Sequence, residues 1–412
     1  MFHAASDGLE ARLATGRRIS AYIGFDPSGP WLHIGHLVPI FGLIQLQRHG
    51  GQPIALVGGG TGMIGDPSGR SSERNLLSRE RLQANVALIR PQLERFLDFS
   101  GPSAATMANN LDWLEPIHLL DFLRDVGKHF TIPYMLAKDS VQVRLEGGLS
   151  FTEFSYMLIQ ATDYQHLHRE QGVELQMGGA DQWGNITAGL ELIRRTSDAR
   201  PDGSPHAFAM AYPLLLNASG AKFGKSESGD SVWLHPDGTS PYAFYQHWLN
   251  TDDRDVATHL RWFTTFEPER ILALDASLAE HPERREAQRE LAFDITSRVH
   301  GVDAATQARA DSAALFGAEP LRDPALLARL HAGTRGFEAS PIEGATAAAM
   351  LADAGVVQSR SEARRLIQNG GLTINGVSVA DPNAPMPPPI ADEWWDVRIG
   401  KRRREIGRAT RG

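Results

Sequence analysis

The sequence predicts an α/β protein: a parallel-sheet domain, then an α-helical domain and a small α+β domain. Three observations carry this. Strand, glycine turn and helix recur at Arg18–Phe25 into Ile34–Arg48, at Pro53–Val57 into a Gly-rich run, and at Val173–Met177 into a helix ending at Arg195, which is the alternation of a parallel sheet. Residues 240–330 read as helix after helix, with breaks at Pro268, Pro282 and Gly317. Finally, a helix over 359–371 runs into a Leu372–Val379 hairpin turned by Asn375-Gly376, the dipeptide that tight hairpins favour. At 412 residues the chain exceeds one compact core, so domains are expected at 1–228, 229–330 and 343–412, with a linker at 331–342.

Taken in order, Gly8–Arg17 reads as a short amphipathic helix before the first strand. The first strand-to-helix join contains His33-Ile34-Gly35-His36. A helix start offers free N–H groups to an anion; histidines three apart share one face of that turn, and Gly35 lets a flat ring approach the backbone. The second strand enters Gly58–Gly69, where Gly60, Gly62 and Gly65 match a dinucleotide fingerprint. Asp66-Pro67 interrupts the helix that fingerprint requires, which weighs against a nicotinamide enzyme.

Residues of about 70–150 read as helical, at Ser72–Phe99 and Asn109–His129, and look like an insertion in the alternation. In the helix after Ser150, Tyr156, Gln160 and Asp163 stand at i, i+4 and i+7, a polar stripe suited to a pocket. Asp181 and Gln182 stand at the next helix entrance, where a carboxylate can accept from ribose hydroxyls. After a strand at Ala207–Leu216, the Gly- and Ser-rich stretch 217–229 carries Lys222 and Lys225, two point charges able to reach a triphosphate.

Composition limits the alternatives. With 42% hydrophobic and 22% charged residues the chain is ordinary globular material, and no apolar run is long enough for a membrane span. Its start shows no basic-then-apolar leader, and a cytoplasmic protein is expected. Zero cysteines exclude a disulfide framework, thiolate metal sites and a Cys nucleophile. The net charge of −8 is uneven: from Arg360 to Gly412 ten Lys and Arg face six Asp and Glu, a local +4 that leaves −12 on the rest. Contact with a polyanion is therefore expected at the C-terminal end.

The turn His33–His36 resembles the first signature of class I aminoacyl-tRNA synthetases, and Gly24-Phe25-Asp26-Pro27 resembles their tyrosyl branch. Lys222-Phe223-Gly224-Lys225-Ser226, about 190 positions later, resembles the second signature in its tyrosyl form. The resemblance spans about Tyr22 to Arg404 and implies a Rossmann-like catalytic domain joining tyrosine, through ATP, to its tRNA. It assigns Tyr22 and Asp163 to the phenol hydroxyl, and Asp66, Tyr156 and Gln160 to the amino group. Gln182 goes to the carboxylate region, and Gly24, Asp26, Gly35, Gly179 and Asp181 to ATP. Charge stabilisation falls to Ser28, His33, His36, Lys222 and Lys225, with Arg70 and Arg74 as helpers. It further implies magnesium accompanying ATP without a tightly bound metal, a homodimer through 110–150 and Phe151, and a ribosomal-protein-like RNA module using Arg360, Arg364 and Arg365. Pro385–Pro389 departs from that module's pattern, and Lys401–Arg404 reads either as more basic surface or as a frayed end. A tryptophanyl enzyme, a small-molecule nucleotidylyltransferase and a non-catalytic RNA binder are the competing readings.

Overall fold

The computed structural model describes residues 2–68, 76–145, 147–216, 231–317, 319–334, 336–342, 344–400 and 403–410. They form two compact units, 1–238 with 252–287 and 239–251 with 288–412.

In the first unit β1 (Ala4–Ala5) and α1 (Leu9–Ala14) precede β2 (Ser20–Phe25), α2 (Leu37–Arg48), β3 (Gln52–Val57), α3 (Arg79–Leu93) and β4 (Thr106–Asn109). The short helices α4 (Leu111–Leu114), α5 (Leu119–Asp125), α6 (Ile132–Leu136) and α7 (Asp139–Leu145) lead to the long α8 (Phe151–Gln171), then β5 (Leu175–Gly179), α9 (Trp183–Thr196) and β6 (Phe208–Tyr212). The sheet order is β1-β6-β5-β2-β3-β4, parallel throughout except for β1 against β6. Pro53–Val57 is buried along its whole length, as expected of a strand covered on both faces. Ser150 caps α8 by accepting the Glu153 amide, and Gly172, at φ 65°, stops it.

The expected insertion over 70–150 is corrected by β4, which pairs in parallel with β3 from Ile54↔Thr106 to Val57↔Asn109. Strand, helix α3 and strand thus continue the alternation, and only the segment after Asn109 departs from it. β4 is four residues long and none of them is fully buried, so it leaves no periodic signal. The helical material expected over Asn109–His129 is present as α4, α5 and a single turn at Gly127–His129.

α10 (Pro241–Leu249) goes with the second unit, while α11 (Asp253–Phe263) and α12 (Pro268–Glu280) go with the first. In the second unit α13 (Glu286–His300), α14 (Val302–Phe316) and α15 (Pro324–Thr334) are followed by β7 (Phe337–Ala339), α16 (Ala347–Asp353), α17 (Arg360–Gln368), β8 (Leu372–Ile374), β9 (Val377–Ser378), β10 (Trp394–Ile399) and β11 (Arg403–Ala409). The stretch 331–342, expected as a linker, holds the end of α15 and the strand β7, paired with β11. Asn375 and Gly376 turn the predicted hairpin with φ of 53° and 83°, the left-handed pair a two-residue turn requires.

Arg404 is neither surface nor frayed end. It forms a 2.6 Å ion pair with Asp396, both side chains at most 3% exposed, and donates to the carbonyls of Ala314, Leu315, Gly317 and Glu319. Removing one partner of a buried pair strands the other charge. Arg404→Ala is expected to destabilise the second unit by about 3–5 kcal/mol, read as lost hydrogen-exchange protection of β10 and β11 at lower urea; unchanged protection would contradict it.

Candidate active site

β2 and β5 lie side by side where the strand order reverses, and their carboxyl ends open on a cavity of about 420 Å³. In an open parallel sheet this is the crevice that accepts ligands.

One end of the cavity is buried and polar. Tyr22 on β2 and Gln176 on β5 are register partners, both buried. Tyr22 Oη and Gln176 Oε1 have no hydrogen-bond partner among the described residues, and neither has Gln160 Oε1 of α8. Orphaned polar atoms cost about 1–3 kcal/mol each, so three on one cavity wall describe a surface made for a ligand's polar groups. Asp163, 1% exposed, accepts from Asn110 Nδ2 at 2.9 Å and Trp113 Nε1 at 2.8 Å. Desolvation outweighs these donors and, with the charge of Asp26, raises its carboxyl to about 7. Burial and the nearby Asp163 likewise push the Tyr22 phenol well above its ordinary range.

The middle of the cavity is acidic and tied together. Asp26 accepts from Tyr156 Oη at 2.8 Å and from Thr61 Oγ1 at 2.7 Å. Gly58 makes room for this pair, because a Cβ there would stand 2.0 Å from Asp26 Oδ1. Asp66 accepts from the Ser68 amide at 2.9 Å and from Gln182 Nε2 at 2.6 Å. It therefore closes its own turn and faces the cavity as well.

The other end presents neutral donors. His33 Nδ1 accepts the Gly35 amide and His36 Nδ1 accepts the His33 amide, each at 3.0 Å. With Nδ1 an acceptor, the neutral ring carries its proton on Nε2. Burial lowers His33, and burial with the neighbouring His33 brings His36 down to about 3. Both therefore act near pH 7 as Nε2–H donors without charge. Ser28, Gly24, Gly35, Gly179, Asp181 and Gln182 complete the wall, with Asp181 exposed at its rim. A Cβ on Gly179 would stand 2.5 Å from Asp181 Oδ1. Every predicted site residue of this unit that is described thus lines one cavity, while Lys222, Lys225, Arg70 and Arg74 lie outside the described residues.

Residues 14–317 match the family of class I tRNA synthetases for tryptophan and tyrosine, and residues 348–386 match the S4 domain. The tyrosine–tRNA ligase of Anaeromyxobacter dehalogenans is 51% identical over 382 residues, 91% of this chain and 89% of that protein. That of Geobacillus stearothermophilus is 48% identical over 381 residues, 92% and 89% of the two chains. The chain belongs to the tyrosyl-tRNA synthetases. The fold agrees: a C-terminally truncated mitochondrial tyrosyl-tRNA synthetase of Aspergillus nidulans superposes with a TM-score of 0.69 at 29% identity, covering 77% of this chain and 91% of its own.

Within this tyrosyl-tRNA synthetase, four polar residues of the site escape sequence reasoning. Gln176 had a signal, a lone amide in an otherwise apolar strand centre. Asn110, Thr61 and Trp113 had none, because Asn110 and Trp113 follow the unseen strand β4. In the S4 region Ala363 and Ile367 of α17 are buried, while Arg360, Arg364 and Arg365 are exposed; Arg360 pairs with Asp353 at 2.9 Å.

Asp163 gives the site a pH dependence. Its folded value lies above the unfolded 3.8, so between about 4 and 7 the folded carboxyl holds a proton the unfolded one has lost. Asn110 and Trp113 both present donors to Asp163, so they favour its ionised form, and that form is the one able to accept from a ligand hydroxyl. Tyrosine affinity is expected to be flat above about 8 and to weaken by up to tenfold per unit below about 7. Equilibrium dialysis checks this against Asp163→Asn, whose profile is expected to be flat.

Proposed function

We propose that the cavity performs two steps: the tyrosine carboxylate attacks the α-phosphorus of magnesium-bound ATP, expelling pyrophosphate, and the tyrosyl group passes to the terminal ribose of tyrosine-specific tRNA. No protein nucleophile is required. The protein's work is alignment and stabilisation of developing negative charge.

The observation that carries the reading is the buried, unpartnered Tyr22 hydroxyl beside the buried carboxyl of Asp163. A phenol hydroxyl satisfies both, accepting from Tyr22 and donating to Asp163. Phenylalanine leaves both unpaired, and tryptophan puts its donor elsewhere. Asp66, Tyr156 and Gln160, with the orphan Gln176, receive the amino group; Gln182 adjoins the carboxylate. Asp26 and Asp181 serve the nucleotide, whose ribose hydroxyls donate to Asp181, and Gly24, Gly35 and Gly179 leave space for it. His33 and His36 donate from Nε2 to the phosphates, joined by Ser28, Lys222 and Lys225. Among the described residues no group of three or more His, Asp or Glu is placed to hold a metal, and magnesium travels with the phosphates.

The test is exchange of labelled pyrophosphate into ATP with each amino acid in turn. Exchange with tyrosine, not with phenylalanine or tryptophan, is expected, and His36→Ala is expected to slow it about 10²–10³-fold. Exchange with tryptophan, or none at all, would overturn the reading.

The exposed Arg364 and Arg365, with Arg360, suit an RNA backbone. Among the described residues no helix is long and apolar enough to cross a membrane, and the cytoplasm is the compartment proposed.

A second copy of the chain completes the assembly. Leu119, Leu120 and Phe151 are 69%, 77% and 77% exposed, beside an apolar cavity of about 660 Å³ between α4–α6 and α8. Such a patch marks an interface. Sedimentation is expected to give a dimer that Phe151→Asp weakens at least tenfold; a monomer at micromolar concentration would refute it.

A further inference from the structure

Trp31, two residues before His33, is half-buried on the first unit and has no part in the site chemistry above. Its backbone is held from one side: Gln92 of α3, itself 6% exposed, donates to the Pro30 carbonyl at 3.1 Å and accepts the Leu32 amide at 3.0 Å. The backbone on either side of Trp31 is therefore a fixed anchor.

Against that anchor lies 231–238. The Ile34 amide donates to Val232 at 2.9 Å and the Leu234 amide to Leu32 at 2.8 Å, so that His33 and Trp233 form an antiparallel bridge. The Trp31 ring stacks on His235, centroids 5.4 Å apart and planes 2° from parallel. It meets Trp233 edge-on at 5.9 Å, and Trp233 meets the His33 ring at 6.1 Å. Trp233 is confined on another side too, since a Cβ on Gly238 would stand 2.7 Å from its ring. Four rings thus run without a break from His235 to His33. A bridge of two backbone bonds on a half-exposed edge is weak by itself, and stacked or edge-on rings add attraction with fixed geometry.

We propose that Trp31 is a positioning residue for His33: with His235 and Trp233 it clamps 232–235 onto 32–34 and fixes the His33 ring at the phosphate end of the cavity. The inference rests on the proposed role of His33 as a phosphate donor. The clamp touches only that end; the phenol-reading end, built on Tyr22 and Asp163, does not depend on it.

Kinetics of tyrosine-dependent pyrophosphate exchange, with tyrosine binding by equilibrium dialysis, tests it in the full chain. Trp31→Ala is expected to raise the KM for ATP and lower kcat by about three- to tenfold together, with tyrosine affinity unchanged. Trp31→Phe and His235→Phe, which keep a ring in the stack, are expected to retain most of the activity. His235→Ala, which removes only the stack, is expected to cost no more than Trp31→Ala, and the double variant to be no worse than Trp31→Ala alone, because the His235 stack is already lost with Trp31. Unchanged ATP kinetics in Trp31→Ala, an equal loss of tyrosine affinity, failure of Trp31→Phe to rescue, or multiplicative losses in the double variant would overturn the clamp. Absence of exchange in the unaltered chain would instead overturn the reading of the site, and the clamp's role with it.

Discussion

The site hangs on one chain of hydrogen bonds that joins Tyr156, Asp26, Thr61, Asn110 and Asp163 in sequence. Its five members come from four places: α8 at both ends, the residue after β2, the turn after β3 and the residue after β4. Asn110 is the keystone. Its Nδ2 serves both Thr61 and Asp163, and its Oδ1 accepts the Gly60 amide at 2.7 Å. Buried polar groups are tolerated when every member is satisfied. This chain makes the acidic wall rigid while leaving Tyr22, Gln160 and Gln176 each with one atom unused. A wall satisfied within itself but deficient toward the cavity is preorganised for a ligand.

The two ends of the cavity solve opposite electrostatic problems. At the Asp163 end, desolvation holds a carboxyl near its switching point, able to accept from a donor. At the His33 end, burial keeps the histidines neutral, and with Nδ1 accepting backbone amides they present Nε2–H without a charge. The aromatic run from His235 to His33 fits the same division, because a neutral imidazole is aimed by packing rather than by charge.

The fold supplies the distances. Parallel strands separated by helices bring Tyr22 and Gln176 into register across 154 positions of chain, and the reversal of strand order between β2 and β5 leaves the crevice in which they face each other. The C-terminal sheet uses a different device. There the buried Arg404 fills a set of helix-end carbonyls, so a charge that looks like surface in sequence becomes an interior tie.

The sequence alone determined the α/β fold class with its small C-terminal module, the strand-turn-helix joins and most of the polar residues that line the cavity, because local signals mark them: glycines at turns, histidines at a helix start, a polar stripe at helical spacing. What it left open was decided by tertiary contact. β4 was invisible because four residues without periodicity become a strand only when β3 offers its edge, and with β4 went Asn110 and Trp113. The fate of Arg404 and the purpose of Trp31 depend on partners 8 and 204 positions away. Burial, pairing and stacking are properties of a neighbourhood, and a neighbourhood assembled from distant chain is written in no single stretch of it.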